Sequence, residues 1–422
     1  MAKVEDQSLT FLFLIRFRYH VNGRQKDLLP TKSNICPSCK TASVSAFYEA
    51  RNVPINSCLM FSNHEEAVSF PRGDVILGFC ETCGFISNMA FDSSKVDYAS
   101  LAPEEQGFSA TFNTYAQQLA KHLIETYNLH GKHISEIGCG RGDFLALLCE
   151  LGFNYGVGID PSTVSGGVQS KAKDRMTFIK DYYSERYADK LGDFVCCRHT
   201  LEHISNVSDF INSIRRSIDN RNTPAFFEVP DVSRILQEIA FWDIYYEHCS
   251  YFNQKSLAQL FRSQGFEVLN LVKGYFDQYL LIEAKPARQQ LQKIFDGEET
   301  VEKTARMVKL FSEKCQQKLD TWKKELNRIK KEKRRAIVWG SGSKCVAFMT
   351  TLGIQDEINY IVDINPNRHG KFIPGVGKQI VSPQFLKQFQ PETIIIMNPV
   401  YHSEIKKMVE DMNIKAEYLL CT

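Results

Sequence analysis

Residues 134–144 read ISEIGCGRGDF. A short apolar run carrying the acid Glu136 meets glycines at alternate positions, Gly138, Gly140 and Gly142, with Cys139 inside the turn. Glycines between a strand and a helix permit a tight turn and let a ligand approach the backbone. Working outward, the apolar runs HISEIG, YGVGID, FVCCRHT and AFFEVPD alternate with amphipathic stretches. That alternation predicts a doubly wound α/β sheet of Rossmann-like type over 105–285. Upstream, Phe112, Tyr115, Leu119, Leu123 and Tyr127 fall three or four apart and predict a helix over 108–128, stopped by Gly131. At the far end, FEVLNLVKGYFDQYLLIEA reads as two strands joined by a turn. Asp160 ends GVGID, eighteen residues after Gly142, where a carboxylate accepts hydrogen bonds from ribose hydroxyls. Asp181 ends the next unit, FIKDYY, within reach of an adenine amino group. A glycine turn of this kind, taken alone, also fits a dinucleotide.

The chain has 422 residues, room for two or three domains. Its net charge of +2 gives no global pull toward nucleic acid or an anionic membrane, and neither is expected as a partner. The run LTFLFLIRF is short, broken by Arg16 and Arg18, and lacks a small-residue cleavage site, so it does not read as a signal peptide. No stretch reaches the roughly 18 apolar residues that span a bilayer. A soluble, cytoplasmic protein is expected. Residues 1–33 read as an N-terminal extension without an evident function.

Thirteen cysteines are too sparse for a disulfide scaffold in a chain this long. Four of them form two C-x-x-C pairs within 34–95: Cys36 with Cys39, and Cys80 with Cys83. A tight turn aims both thiolates of such a pair at one ion, about 2.3 Å away, and two pairs complete a tetrahedron around zinc. Four protein ligands leave no open position, so the expected zinc is structural. Cys58 and His64 lie between the pairs as substitutes for one ligand.

Residues 288–335 form a helical linker that turns highly charged. Val301, Val308, Cys315, Trp322 and Ile329 recur every seven positions, with Ala305, Ser312, Leu319 and Leu326 four after the first four. This seam predicts one long helix, laid against its own protein or paired with a second copy; monomer and homodimer both stay open. The basic run KKEKRR reads as a solvated helix end. From 336 to 422 the pattern is α/β again (AIVWGSGSK, NYIVDINP, TIIIMNP), a second and smaller domain.

Two stretches carry polar groups at the carboxyl end of the expected sheet, where open α/β sheets bind ligands. The first is CCRHTLEHISN, with His199, Glu202 and His203. The second is FWDIYYEHCSYF, residues 241–252, which has neither a helical nor a strand period. It links two helices beyond the fifth strand, the second capped by Asn253. Phe241, Trp242 and Phe252 read as packing. Tyr245, Glu247 and His248 need partners if buried.

Glu136, the three glycines and the acids Asp160 and Asp181 together resemble the class I S-adenosylmethionine (SAM) methyltransferases, whose motif is E-x-G-x-G-x-G with an acid after the second strand. The resemblance covers roughly 105–285 and implies a seven-stranded sheet ending in an antiparallel hairpin, with SAM as cofactor and His199 at its edge. IYYEHCSYF further resembles the Y-x-E-H motif of the zinc-containing sugar C-methyltransferases. The order of parts is similar too: a four-cysteine zinc domain, a SAM domain, and a C-terminal α/β domain matching VWGSGSKCVAF, IVDINPNRHGKFIPG and IIIMNPVY. The resemblance implies a small-molecule substrate, a 4-keto nucleotide-sugar, methylated at the carbon next to the ketone through an enolate. It implies His248 as the base, Tyr245 and Glu247 as positioning groups, His203 as a partner of the keto oxygen or sugar, and Tyr98 as an active-site tyrosine. An adjacent carboxylate would orient the His248 ring. The family often has histidine where this chain has Tyr246. The competing expectations are O- or N-methylation of another small molecule, hydride transfer with NAD, and a non-catalytic zinc and SAM-fold binding protein.

Overall fold

The computed structural model describes residues 20–21, 24–25, 35–100, 107–164, 167–288 and 293–422. The expectation for residues 1–33 therefore lies almost wholly outside the described residues.

The helix Ala110–Tyr127 starts where the Ser109 hydroxyl accepts from the Phe112 amide, and it buries Phe112, Leu119 and Leu123 along one face. It does not run on to Gly131. Asn128 ends it in the left-handed region (φ 50°), donating its amide to the Ile124 carbonyl. Asparagine tolerates that conformation, so the stop comes three residues before the glycine.

Seven strands form the central sheet, in the spatial order Phe266–Gly274, Tyr279–Pro286, Ala225–Pro230, Phe194–Arg198, His133–Ile137, Tyr155–Ile159, Met176–Ile179. Only Tyr279–Pro286 runs against the other six, antiparallel to both of its neighbours. The chain enters at His133–Ile137, steps outward twice to one side, then crosses to Phe194–Arg198 on the other. A crevice opens at such a reversal, beyond the carboxyl ends of the two strands. The glycine turn and the segment from His199 to His203 meet there.

The four cysteines belong to a smaller antiparallel sheet of Val44–Pro54, Arg72–Cys80, Ile86–Asn88 and a fourth strand, Ser250–Tyr251. That fourth strand is the end of the aperiodic stretch. Phe241–Asp243 make one 3-10 turn, Tyr246 and Glu247 make a second turn, and Ser250 then pairs with Ser87. The stretch has no period because it passes between bodies. Phe241, Trp242 and Phe252 are buried, as expected. Tyr246 is also buried, its ring against Phe91 and its hydroxyl accepting from the Asp92 amide at 3.0 Å. A Cβ at Gly73 would fall 2.3 Å from that ring. Tyr246 thus fills a slot in the N-terminal sheet, which accounts for the departure at this position.

The C-terminal sheet has five parallel strands, ordered Ile380–Val381, Tyr360–Val362, Ala336–Trp339, Thr393–Ile396, Glu417–Leu420. The long helix, Val301–Lys331, lies against its own chain. Val308, Cys315, Leu326 and Ile329 are buried, and Trp322 packs edge-on against Phe348 at 4.9 Å between ring centres. The Ser312 hydroxyl donates to the Phe47 carbonyl at 2.9 Å, so a polar residue in the seam has a partner. Phe311, outside the seam, is fully buried against Phe47 and Tyr48. One apolar cluster runs through the N-terminal sheet, the 232–246 segment, this helix and the C-terminal sheet. Among the described residues no helix is long and apolar enough to cross a membrane.

Candidate active site

A cavity of about 1390 Å³ opens at the carboxyl edge of the central sheet and is closed on the far side by the C-terminal sheet. Single-ligand pockets occupy roughly 300–1,000 Å³. The space suits two ligands lying end to end.

The glycine turn forms one wall. Gly138 and Gly142 hold positive φ, 72° and 88°. A Cβ on Gly138 would fall 1.9 Å from the Thr200 hydroxyl, and one on Gly142 would fall 2.3 Å from the Phe178 ring. Neither position accepts a side chain. Cys139 turns away to pack on Gly158, at 2.6 Å from where a Cβ would stand. Asp160 accepts from the Gly140 amide at 2.9 Å and from the Ser162 amide and hydroxyl at 2.7 and 2.6 Å, bracing the turn while lining the cavity. Glu136 lines it too. Its carboxylate accepts from the Leu145 amide, yet burial pushes it up to about 8. Asp181 stands apart. Its carboxylate is taken by Arg186, the Tyr187 hydroxyl and the Tyr182 amide, and the neighbouring Tyr182 and Tyr183 line the cavity instead.

The floor is a buried charge network. Arg198 pairs with Glu228, which also accepts from the Tyr115 hydroxyl at 2.6 Å. His199, in the left-handed region at φ 48°, lies 3.6 Å from both Glu202 and Glu228. Burial alone would lower its pKa. The carboxylates outweigh that and push it up to about 9, so this imidazole is cationic at neutral pH. Glu228 is held well below the usual carboxylate range, because Arg198 and His199 overcome the cost of its burial. The sequence marked His199 and Glu202 of this network but not Arg198 or Glu228 as their partners.

Above it sit the groups named from the second stretch. The His248 ring lies 4.3 Å from the Tyr245 ring and edge-on to His203 at 4.8 Å. Burial, then the charges of His203 and His199, drive its pKa well below 6.5, so it is neutral. His203 Nδ1 is 3.1 Å from both the Tyr98 hydroxyl and the Glu247 carbonyl. Glu247 does not orient His248 through its carboxylate. It is turned to Ser57, accepting from that residue's amide at 2.8 Å and from its hydroxyl. Ser57 was not foreseen, since nothing in its local sequence marks it. From the opposite sheet Lys344 enters the cavity wall, 3.0 Å from Asp243 and 3.3 Å from the Gln278 side-chain oxygen.

The four sulfurs of Cys36, Cys39, Cys80 and Cys83 lie within 4.8 Å of one another, with Cys36–Cys83 and Cys39–Cys80 at 3.6 Å. A tetrahedron with metal–sulfur bonds of about 2.3 Å has edges of about 3.8 Å, so the set fits zinc. Both knuckles close alike: Lys40 donates to the Cys36 carbonyl and Gly84 to the Cys80 carbonyl, each at 2.9 Å. Cys58 and His64 are elsewhere, Cys58 on the cavity wall 2.9 Å from Ser343 and His64 against Phe372.

Residues 111–271 match the family described as methyltransferase domain, and 277–419 the family described as C-methyltransferase C-terminal domain. The first match spans the glycine turn and the histidines, and that turn fits SAM. The chain is a SAM-dependent methyltransferase. The second match puts it among the C-methyltransferases. C-methyltransferase NovU of Streptomyces niveus is 23% identical over 311 residues, 69% of this chain and 72% of that protein. Ubiquinone biosynthesis O-methyltransferase of Rickettsia typhi is 28% identical over 106 residues, 23% of this chain and 43% of that protein. Among solved structures, magnesium protoporphyrin IX methyltransferase from Synechocystis is 18% identical with a TM-score of 0.33, over 42% of this chain and 84% of that one.

Proposed function

We propose that the enzyme methylates the carbon next to the ketone of a nucleotide-linked keto sugar, with His248 as the base. The observation that carries this reading is a neutral, buried histidine on the wall of a cavity large enough for a second ligand beside SAM. Bound SAM supplies an electrophilic methyl group. A neutral imidazole has a free lone pair and takes the proton next to the ketone. The Tyr245 ring fixes the plane of the His248 ring, and burial keeps its own phenol protonated. The Tyr98 hydroxyl donates to His203 Nδ1, which leaves the Nε2–H to donate to the keto oxygen as that oxygen gains charge. Ser57 fixes Glu247, and through it the backbone beside His203. The cavity's C-terminal wall, with Lys344 and the turn at Gly340 and Gly342, supports a long substrate carrying a nucleotide. In the same reading the four-cysteine cluster holds one structural zinc ion, and metal analysis of the purified chain checks that stoichiometry.

The test is a screen of thymidine- and uridine-linked 4-keto sugars with labelled SAM, paired with His248→Asn. That variant keeps SAM binding and loses solvent deuterium exchange at the carbon next to the ketone. Exchange retained by the variant removes His248 from the role of base.

A further inference from the structure

Arg198 is a buried cation with unused donors. Its side chain is 9% exposed. One of its five N–H groups, on Nε, goes to Glu228. Nη2 is sealed from solvent with no partner among the described residues. The side chain nevertheless lines the cavity. Burying donors without acceptors is costly, so such an arginine calls for an anion the protein does not itself supply.

Its position says which anion. Glu136 pairs with Cys196 across the parallel strands, so Arg198, two residues further on, lies level with Gly138. The guanidinium sits over the Phe144 ring at 4.0 Å, and Phe144 is the second residue of the helix that leaves the glycine turn. At the start of that helix, Asp143–Gly152, Gly142 offers no side chain and the Glu136 carboxylate takes the third amide, from Leu145. A guanidinium beside the first amides of a helix is a place for a carboxylate.

Resting on the assignment of SAM to the glycine turn, we propose that Arg198 binds the carboxylate of the methyl donor's amino-acid portion, with Glu228 and Tyr115 fixing the guanidinium from behind. Glu228 is a positioning residue: its Oε2 holds Arg198 while its Oε1 is held by Tyr115 at 2.6 Å. A phosphate or carboxylate of the second substrate is the other anion that shares this chemistry.

The test is calorimetry with SAM and with decarboxylated SAM, which keeps the amine and lacks only the carboxylate. The wild-type chain is expected to prefer SAM by about ten- to a hundredfold, the range of a hydrogen bond to a charged group. Arg198→Met with Glu228→Gln removes both charges of the pair, so no lone buried ion remains, and the preference should collapse to within about threefold. Arg198→Lys keeps the charge but not the planar fork and should fall between them. Circular dichroism checks that each variant is folded. An undiminished preference in both variants overturns the proposal. Unchanged SAM affinity combined with lost affinity for the second substrate also overturns it, and gives the guanidinium to that substrate's anion. Failure of the wild-type chain to bind SAM at all would instead count against the cofactor assignment on which the proposal rests.

Discussion

His199 and His248 show how two histidines in one cavity acquire opposite charge states. Both are buried, and burial lowers both. His199 also faces Glu202 and Glu228, and its pKa rises from 6.5 to about 9. His248 is lowered by burial first and by His203 and His199 after it, and falls well below 6.5. The folded state therefore holds the His199 proton more tightly than the unfolded chain does. Its contribution is full below about pH 6.5 and is lost as pH rises through about 9, on the order of 3 kcal/mol in all. Glu136, pushed from 4.5 to about 8, acts in the same direction over its own lower window. Thermal unfolding should show the midpoint dropping between about pH 6.5 and 9, with a shallower drop in His199→Gln. An equal slope in that variant would place the dependence elsewhere. His248 behaves oppositely: the unfolded chain takes up its proton below about 6.5, so acid erodes stability there. Proton abstraction should stay flat with pH from neutrality upward and fall only in acid. The sequence showed these residues but not their charge states, because Glu228 comes from a strand 29 residues after His199.

Two elements join the three sheets. The Val301–Lys331 helix carries a legible seven-residue repeat, and the repeat predicted its length. It did not predict that Phe311, off the seam, is fully buried against Phe47 of the N-terminal sheet. A heptad describes one stripe, and this helix is gripped on more than one side. Phe311→Ala should cost about 3–5 kcal/mol in urea unfolding. Leu310→Ala, at a position 42% exposed, should cost no more than about 0.5 kcal/mol. The N-terminal sheet is the second such element, since its edge strand Ser250–Tyr251 directly follows Cys249 and His248. On the proposed zinc assignment, treatment with a chelator should loosen that sheet, lower the thermal midpoint and reduce methyl transfer while sparing SAM affinity. Loss of SAM affinity in step with zinc would contradict this separation.

At the scale of the whole molecule, the alternation of central strands and helices was legible because each apolar run ends on a glycine turn or a polar group, while the spatial order of the strands was not. The site was legible at its motifs, Glu136 to Gly142 and Tyr245 to His248. It was not legible where distant segments supply partners: Ser57 to Glu247, Lys344 to Asp243, Arg198 to Glu228. Asp181 met the motif but is occupied by Arg186 and Tyr187, groups no spacing rule anticipates. Three bodies converge on one cavity, so the chemistry belongs to their assembly rather than to the SAM-binding sheet alone. The most direct measurement is transfer of a ¹³C-labelled methyl group from SAM to a ¹³C-labelled thymidine- or uridine-linked 4-keto sugar, followed by NMR. The account predicts a one-bond carbon–carbon coupling between the new methyl and the ring carbon beside the ketone. A methyl group found on oxygen or nitrogen, with no such coupling, would contradict it.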